Sequence, residues 1–372
     1  MADQIAKIVA ELPGLRDVTE VEAVIDDRVA QGDAAFAADL GIALAGTYGT
    51  GRMPQYRYVF DHLLRLLTTT APGNVPQAVR LISSDEVAGR KPEPYTASLL
   101  ASSHGAADLA VAFTGRSSEE LRACLVQELV LRGVVVEDTP GIAGWVTSPH
   151  WSQHPLGRLP LTLSEVEAHA DLPSYSVRGS GHSMPYGPSM NREPAVITDV
   201  RVPSAQEATT PATAEAMGAA VANWAEESNG CIEARVFDLA EPLDPESVPT
   251  VLLALGLECL HGAGKEAPLS VTVRTPAQAW RVLFAAASTG GAYNHGSYGA
   301  YGRLAAWRSL ASLAGSPAGA TVAEIEARAL DCVWRGFGAG TWWFEQVAWD
   351  IGLAVLAPDR RRLAVLAATD TD

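Results

Sequence analysis

Eight prolines fall between residues 138 and 194 of this chain, together with several glycines and four of its eight histidines. Proline fixes φ and carries no amide proton, so neither a long helix nor a central strand can run through such a segment. Only 163–170 reads as helical there, with Thr162 or Ser164 as its cap. The segment therefore divides the chain into residues 1–137, a connection at 138–194, and residues 195–372. The two flanks differ in period. Before it, apolar residues recur at helical spacing: Ala6, Val9 and Leu12; Val21, Val24, Ile25 and Val29; Val59, Leu63, Leu66 and Leu67; and 121–131. Thr19, Asp33, Ser117 and Ser118 are candidate caps. These helices of 10–15 residues, joined by short Gly/Pro turns, predict an all-helical bundle or a HEAT-like stack, although no fixed repeat period is present.

Beyond the connection, two-residue alternation enters. Strands are expected at 196–202, 232–239 and 269–275, and helices at 212–227, 245–260, 277–287, 301–313 and 321–333. Apolar strands at 342–356 and 362–368 flank a turn containing Pro358, which reads as a closing hairpin. The fold class is α+β: a helical N-terminal domain followed by a mixed α+β domain that ends in a β-hairpin.

Charge narrows the function classes. The 372 residues carry 27 Lys+Arg against 43 Asp+Glu, a net −16. The excess is even, with 14 basic and 22 acidic side chains in residues 1–190 and 13 and 21 in the rest. No basic footprint exists for nucleic acid or an anionic membrane. Apolar runs such as 250–257 and 283–287 are core length and too short to span a bilayer. The N-terminus lacks a basic region, an apolar core and a cleavage site, so no secretory signal is expected. Cys124, Cys231, Cys259 and Cys332 are widely spaced and form no C-x-x-C pair, which suits reduced thiols in a cytoplasmic protein.

The densest chemistry lies at 289–302, TGGAYNHGSYGAYG, with Arg303 following. Five glycines allow close backbone approach to a ligand. Tyr293, Asn294, His295, Tyr298, Tyr301 and Arg303 are the candidate ligand-binding residues. Arg303 could pair with a carboxylate or phosphate. His295, Tyr298 and Glu345 are the catalytic candidates, with Asp350 as a second possible carboxylate. No Walker or G-x-G-x-x-G pattern occurs. Gly181-His182-Ser183-Met184-Pro185 fails as a nucleophile elbow, because it lacks the last glycine, a leading apolar strand and a following helix. His150 and His154 have metal-like spacing, but prolines bracket them, and no metal site or cofactor is assigned. Five of the nine tryptophans fall within 307–349, as core packing, an aromatic-lined pocket or a partner interface.

The runs at 290–315 (GGAYNHGSYGAYGRLAAWRSLASLAG) and 342–356 (WWFEQVAWDIGLAVL), with the ending LAVLAATDTD, resemble a family of uncharacterised actinobacterial proteins catalogued only as a domain of unknown function. The resemblance implies a bacterial cytoplasmic protein and carries no activity. The expectation is a non-enzymatic module that binds a small polar ligand or a basic protein partner, in a regulatory or immunity-like role. The alternative is an enzyme acting on a small polar or anionic substrate at 289–303.

Overall fold

The computed structural model describes residues 2–371 except Arg90, His169, 186–194, 196, 198–200, 265–266 and 345–347. The chain divides into two compact units, residues 1–162 with 173–182, and residues 163–172 with 183–372.

The first unit is helical. Its longest elements are Thr19–Ala30, Ala34–Tyr48, Pro54–Thr69, Glu93–Ser103 and Glu119–Leu131. Asp33 caps one through Phe36 N (3.3 Å), and Ser118 caps another through Leu121 N (3.0 Å). The Glu119–Leu131 helix is buried from Leu121, Cys124 and Leu125 to Val130 and Leu131, as a central helix must be, with Gln127 and Glu128 among its buried residues. Prolines that should exclude helix instead start short ones, Pro140–Val146 and Pro149–Gln153, since the first helical position needs no amide proton. A two-stranded hairpin, β1 (Ser174–Ser176) and β2 (Gly179–Gly181), is tied to the Glu93–Ser103 helix by the Tyr175 hydroxyl, which donates to Ser98 Oγ at 3.1 Å.

The second unit is built on a six-stranded antiparallel sheet of β3 (Ala205–Glu207), β4 (Cys231–Leu239), β5 (Leu269–Arg274), β6 (Val333–Ala339), β7 (Trp349–Leu356) and β8 (Arg362–Asp370), in the order β3-β4-β8-β7-β6-β5. One face, carrying Phe237, Val365, Ala354, Leu356 and Phe337, packs on Val248, Val251, Leu252 and Leu260. The other meets the helices Pro276–Thr289 and Tyr298–Ala314. β8 is covered on both sides, which is why LAVLAA reads as continuous apolar sequence.

The fold class is therefore α+β with a helical N-terminal region and a closing β7–β8 hairpin, as the sequence indicated. Three details differ. β7 starts at Trp349, and Trp342 and Trp343 belong to the bend before it. The stretch 212–227 is two helices, Pro211–Gly218 and Ala222–Glu227. β6 was not foreseen, because Gly336 and Gly338 depress strand propensity; a Cβ at Gly336 would sit 2.8 Å from Arg274 Nε. The strand expected at 196–202 lies mostly outside the described residues. Among those described, no helix is long and apolar enough to cross a membrane.

His104, at the end of the Glu93–Ser103 helix, is 6% exposed. Burial pushes its pKa below the ordinary value, partly offset by the Thr68 backbone and Asp108. The unfolded chain then binds more protons below about pH 6.5. Stability should therefore fall as pH drops from 7.5 to 5. His104→Gln should flatten that decline, read as the difference in Tm between the two pH values.

Candidate functional site

The Gly/Tyr-rich segment joins two helices. Pro276–Thr289 opens with a reciprocal cap, Gln278 N to Thr275 Oγ1 (3.2 Å) and Thr275 N to Gln278 Oε1 (3.0 Å). It ends where Gly290 turns to φ +84. Asn294 then organises the loop. Its Oδ1 accepts from Gly291 N (3.1 Å) and Gly296 N (3.2 Å), and its Nδ2 donates to Asn223 O (2.8 Å). Asp370 on β8 accepts from Ala292 N (2.7 Å) and from Ser228 Oγ (2.8 Å). Ser297 N closes onto Ala287 O at 2.7 Å.

The glycines serve this closure. A Cβ on Gly290 would lie 2.0 Å from Asn294 Oδ1, and one on Gly296 2.6 Å from Ser288 O. Backbone meets backbone where a ligand had been expected.

The sequence-derived residues separate accordingly. Tyr293 and His295 are exposed, Tyr298 and Tyr301 are half-buried, and Asn294 holds the loop itself. Glu345 lies outside the described residues. Asp350 on β7 accepts from Thr369 Oγ1 at 2.8 Å.

Arg303 is fully buried. Its Nε donates to Glu167 Oε1 (2.6 Å) and its Nη2 to Glu167 Oε2 (2.7 Å). Trp307, one turn further along the helix, donates Nε1 to Glu167 Oε1 at 2.7 Å. Ser164 N donates to Glu167 Oε2 at 3.0 Å. A carboxylate with no water contact is thereby given four N–H donors, which is the condition for burying a charge without a large penalty. The guanidinium expected to meet an anion from solution meets one from the chain. Sequence reasoning saw Ser164 as a cap, but gave no sign that the Glu167 three residues on would face a guanidinium 136 residues away.

A different feature has the dimensions of a ligand site. The helix Val248–Ala254, the turn that follows it and the bend at Trp342 enclose an open cleft of about 740 Å³. Its walls are Leu252, Leu253, Leu257, Leu260 and Trp342, and its polar groups include Glu258 and His261. Glu233 on β4 fixes the turn by accepting from Glu258 N (3.0 Å) and Cys259 N (2.9 Å). Thr341 Oγ1 donates to Cys259 O (2.9 Å) and ties the bend to that turn. Trp343 is buried, and Trp342, set edge-on to it at 5.9 Å, is 68% exposed. Anchored walls and an uncovered indole make a preformed cleft of mixed polar and apolar lining, within the usual size range of ligand clefts.

Other reactive groups are quiet. Burial raises the Cys124 and Cys259 thiols well above their ordinary range and pushes Cys332 up to about 11, so these three stay protonated. His154 is structural: its Nε2 lies 3.0 Å from Glu120 Oε2, and its Nδ1 accepts from Leu156 N at 3.2 Å. No cluster of three or more metal-ligand side chains occurs among the described residues.

A family model described as a family of unknown function, DUF6183, matches residues 19–372. No curated protein and no solved structure matches the chain.

Truncating Glu167 strands Arg303 in the interior. Glu167→Ala should cost about 3–5 kcal/mol of stability in urea unfolding, whereas Glu167→Leu combined with Arg303→Met should recover most of it.

Proposed function

We propose, from the premise that the chain belongs to the DUF6183 family, that it is a non-enzymatic interaction module whose cleft takes an apolar or aromatic anchor from a basic partner segment. The observation that carries this reading is Trp342, a large indole left 68% exposed beside a cleft whose walls are pinned by Glu233 and Thr341. Tryptophan is among the residues that most often dominate binding energy at interfaces. The net charge of −16 would draw a basic segment toward the surface and raise its association rate. The free thiols at all four cysteines fit a cytoplasmic setting.

The enzymatic alternative at 289–303 would rest on Tyr293 and His295, the two exposed side chains of that loop, with Tyr298 and Tyr301 half-buried. The cleft is favoured because Asn294 and Arg303 are already committed to bonds within the chain.

A Lys/Arg-rich peptide carrying one central tryptophan provides the test. Titrated into protein labelled with 5-fluorotryptophan, it should shift the Trp342 resonance. Its affinity should fall about tenfold or more in Trp342→Ala, the loss expected of an aromatic anchor, and should weaken as salt rises. An unmoved Trp342 resonance, or equal affinity in Trp342→Ala, contradicts the reading.

A further inference from the structure

The helical unit holds a second, smaller cavity of about 110 Å³. Its apolar side is Phe60, Leu64, Ile82, Val87 and Leu121. Four of these five are buried, so the lining is part of the core. The polar side is arranged differently from the rest of this acidic chain. Lys91, Arg116 and Glu93 line it, with the hydroxyls of Ser83, Thr96 and Ser118.

Most of these polar groups are already engaged. Lys91 pairs with Asp61. Ser118 Oγ donates to Glu93 Oε1 at 2.6 Å and accepts from Leu121 N at 3.0 Å. Thr96 Oγ1 donates to Pro92 O at 3.3 Å. Ser83 Oγ lies 3.4 Å from Ser117 Oγ, at the limit of a hydrogen bond. Arg116 makes no ion pair or side-chain hydrogen bond among the described residues. A cation without a counter-charge at the mouth of an apolar cavity can bind a group that is anionic at one end and apolar at the other.

We infer that this cavity binds a short apolar monocarboxylate, its carboxylate held by Arg116 and its tail among Phe60, Leu64, Ile82, Val87 and Leu121. Size limits the tail. An apolar cavity of about 150 Å³ accepts benzene, so about 110 Å³ is short of an aromatic ring and accepts a chain of roughly four to five carbons. Long fatty acids are excluded by volume. With Lys91 taken up by Asp61, Arg116 is the cation in the lining left to meet a carboxylate, and that charge favours an anion over a neutral alcohol of the same shape. This site is separate from the Trp342 cleft, so the two readings stand or fall independently.

Calorimetry on the full chain tests it with four probes: hexanoate, acetate, 1-hexanol and inorganic phosphate. Hexanoate should bind at least thirtyfold more tightly than acetate, given about fourfold per buried methylene, and about tenfold more tightly than hexanol for the lost charged hydrogen bond. Arg116→Gln, at an exposed position, should weaken hexanoate about tenfold while leaving hexanol unchanged. Ala88→Trp, at the exposed edge of the cavity, should block hexanoate while the Tm holds. Trp342→Ala should leave hexanoate binding intact. The inference is overturned if acetate or phosphate binds as tightly as hexanoate, if hexanol does, or if either cavity variant with a native Tm binds hexanoate normally.

Discussion

Glu167 and Arg303 are both completely buried, 136 residues apart in sequence, and joined by two short N–H···O bonds. An ion pair in the interior loses its hydration and is tolerable only when its remaining lone pairs are filled. Here Trp307 and the Ser164 amide fill them. Helix packing, the capping turn at 164–167 and the chain entering the Tyr298–Ala314 helix must therefore reach one geometry together. Such a pair adds little net stability over a well-packed apolar replacement, but it penalises any arrangement that separates its members.

The loop at 290–297 inherits that constraint. Its far end leads into the helix that carries Arg303, and its near end is pinned through Ala292 to Asp370 at the end of β8. Between these anchors, Asn294 closes the turn on Gly291 and Gly296. The composition that resembles a ligand-cradling loop is thus the composition needed to bring two helices and a strand end within backbone contact. We propose recognition instead where walls are fixed but one face is uncovered, at Trp342 and at the cavity lined by Arg116.

Local chemistry was legible in the sequence where its cause is local. Asp33 and Ser118 cap the helices that follow them, whereas Thr19, read as a cap, is itself the first residue of its helix, and β4, β5 and β8 lie where alternation or apolar runs place them. Of the clustered tryptophans, Trp307, Trp334 and Trp343 are buried as core packing, and Trp342 is the one that lines the cleft. What failed to show depends on contacts distant in sequence. Nothing within the 163–172 segment states that Glu167 meets Arg303. Nothing near β6 states that Gly352 must pass 2.3 Å, measured from a built Cβ, from Phe337 O. Glycine read as freedom in the sequence is crowding in the fold, since both produce the same residue.

Amide hydrogen exchange at Gly291, Ala292 and Gly296 tests most directly whether the 290–297 loop is a fixed structural joint. If it is, these three amides, each bonded to Asn294 or Asp370, exchange as slowly as the core amides of β8 and only through cooperative opening of the second unit. Exchange at rates near those of an unfolded peptide, with β8 still protected, would contradict the account and return the loop to the role of an open binding segment.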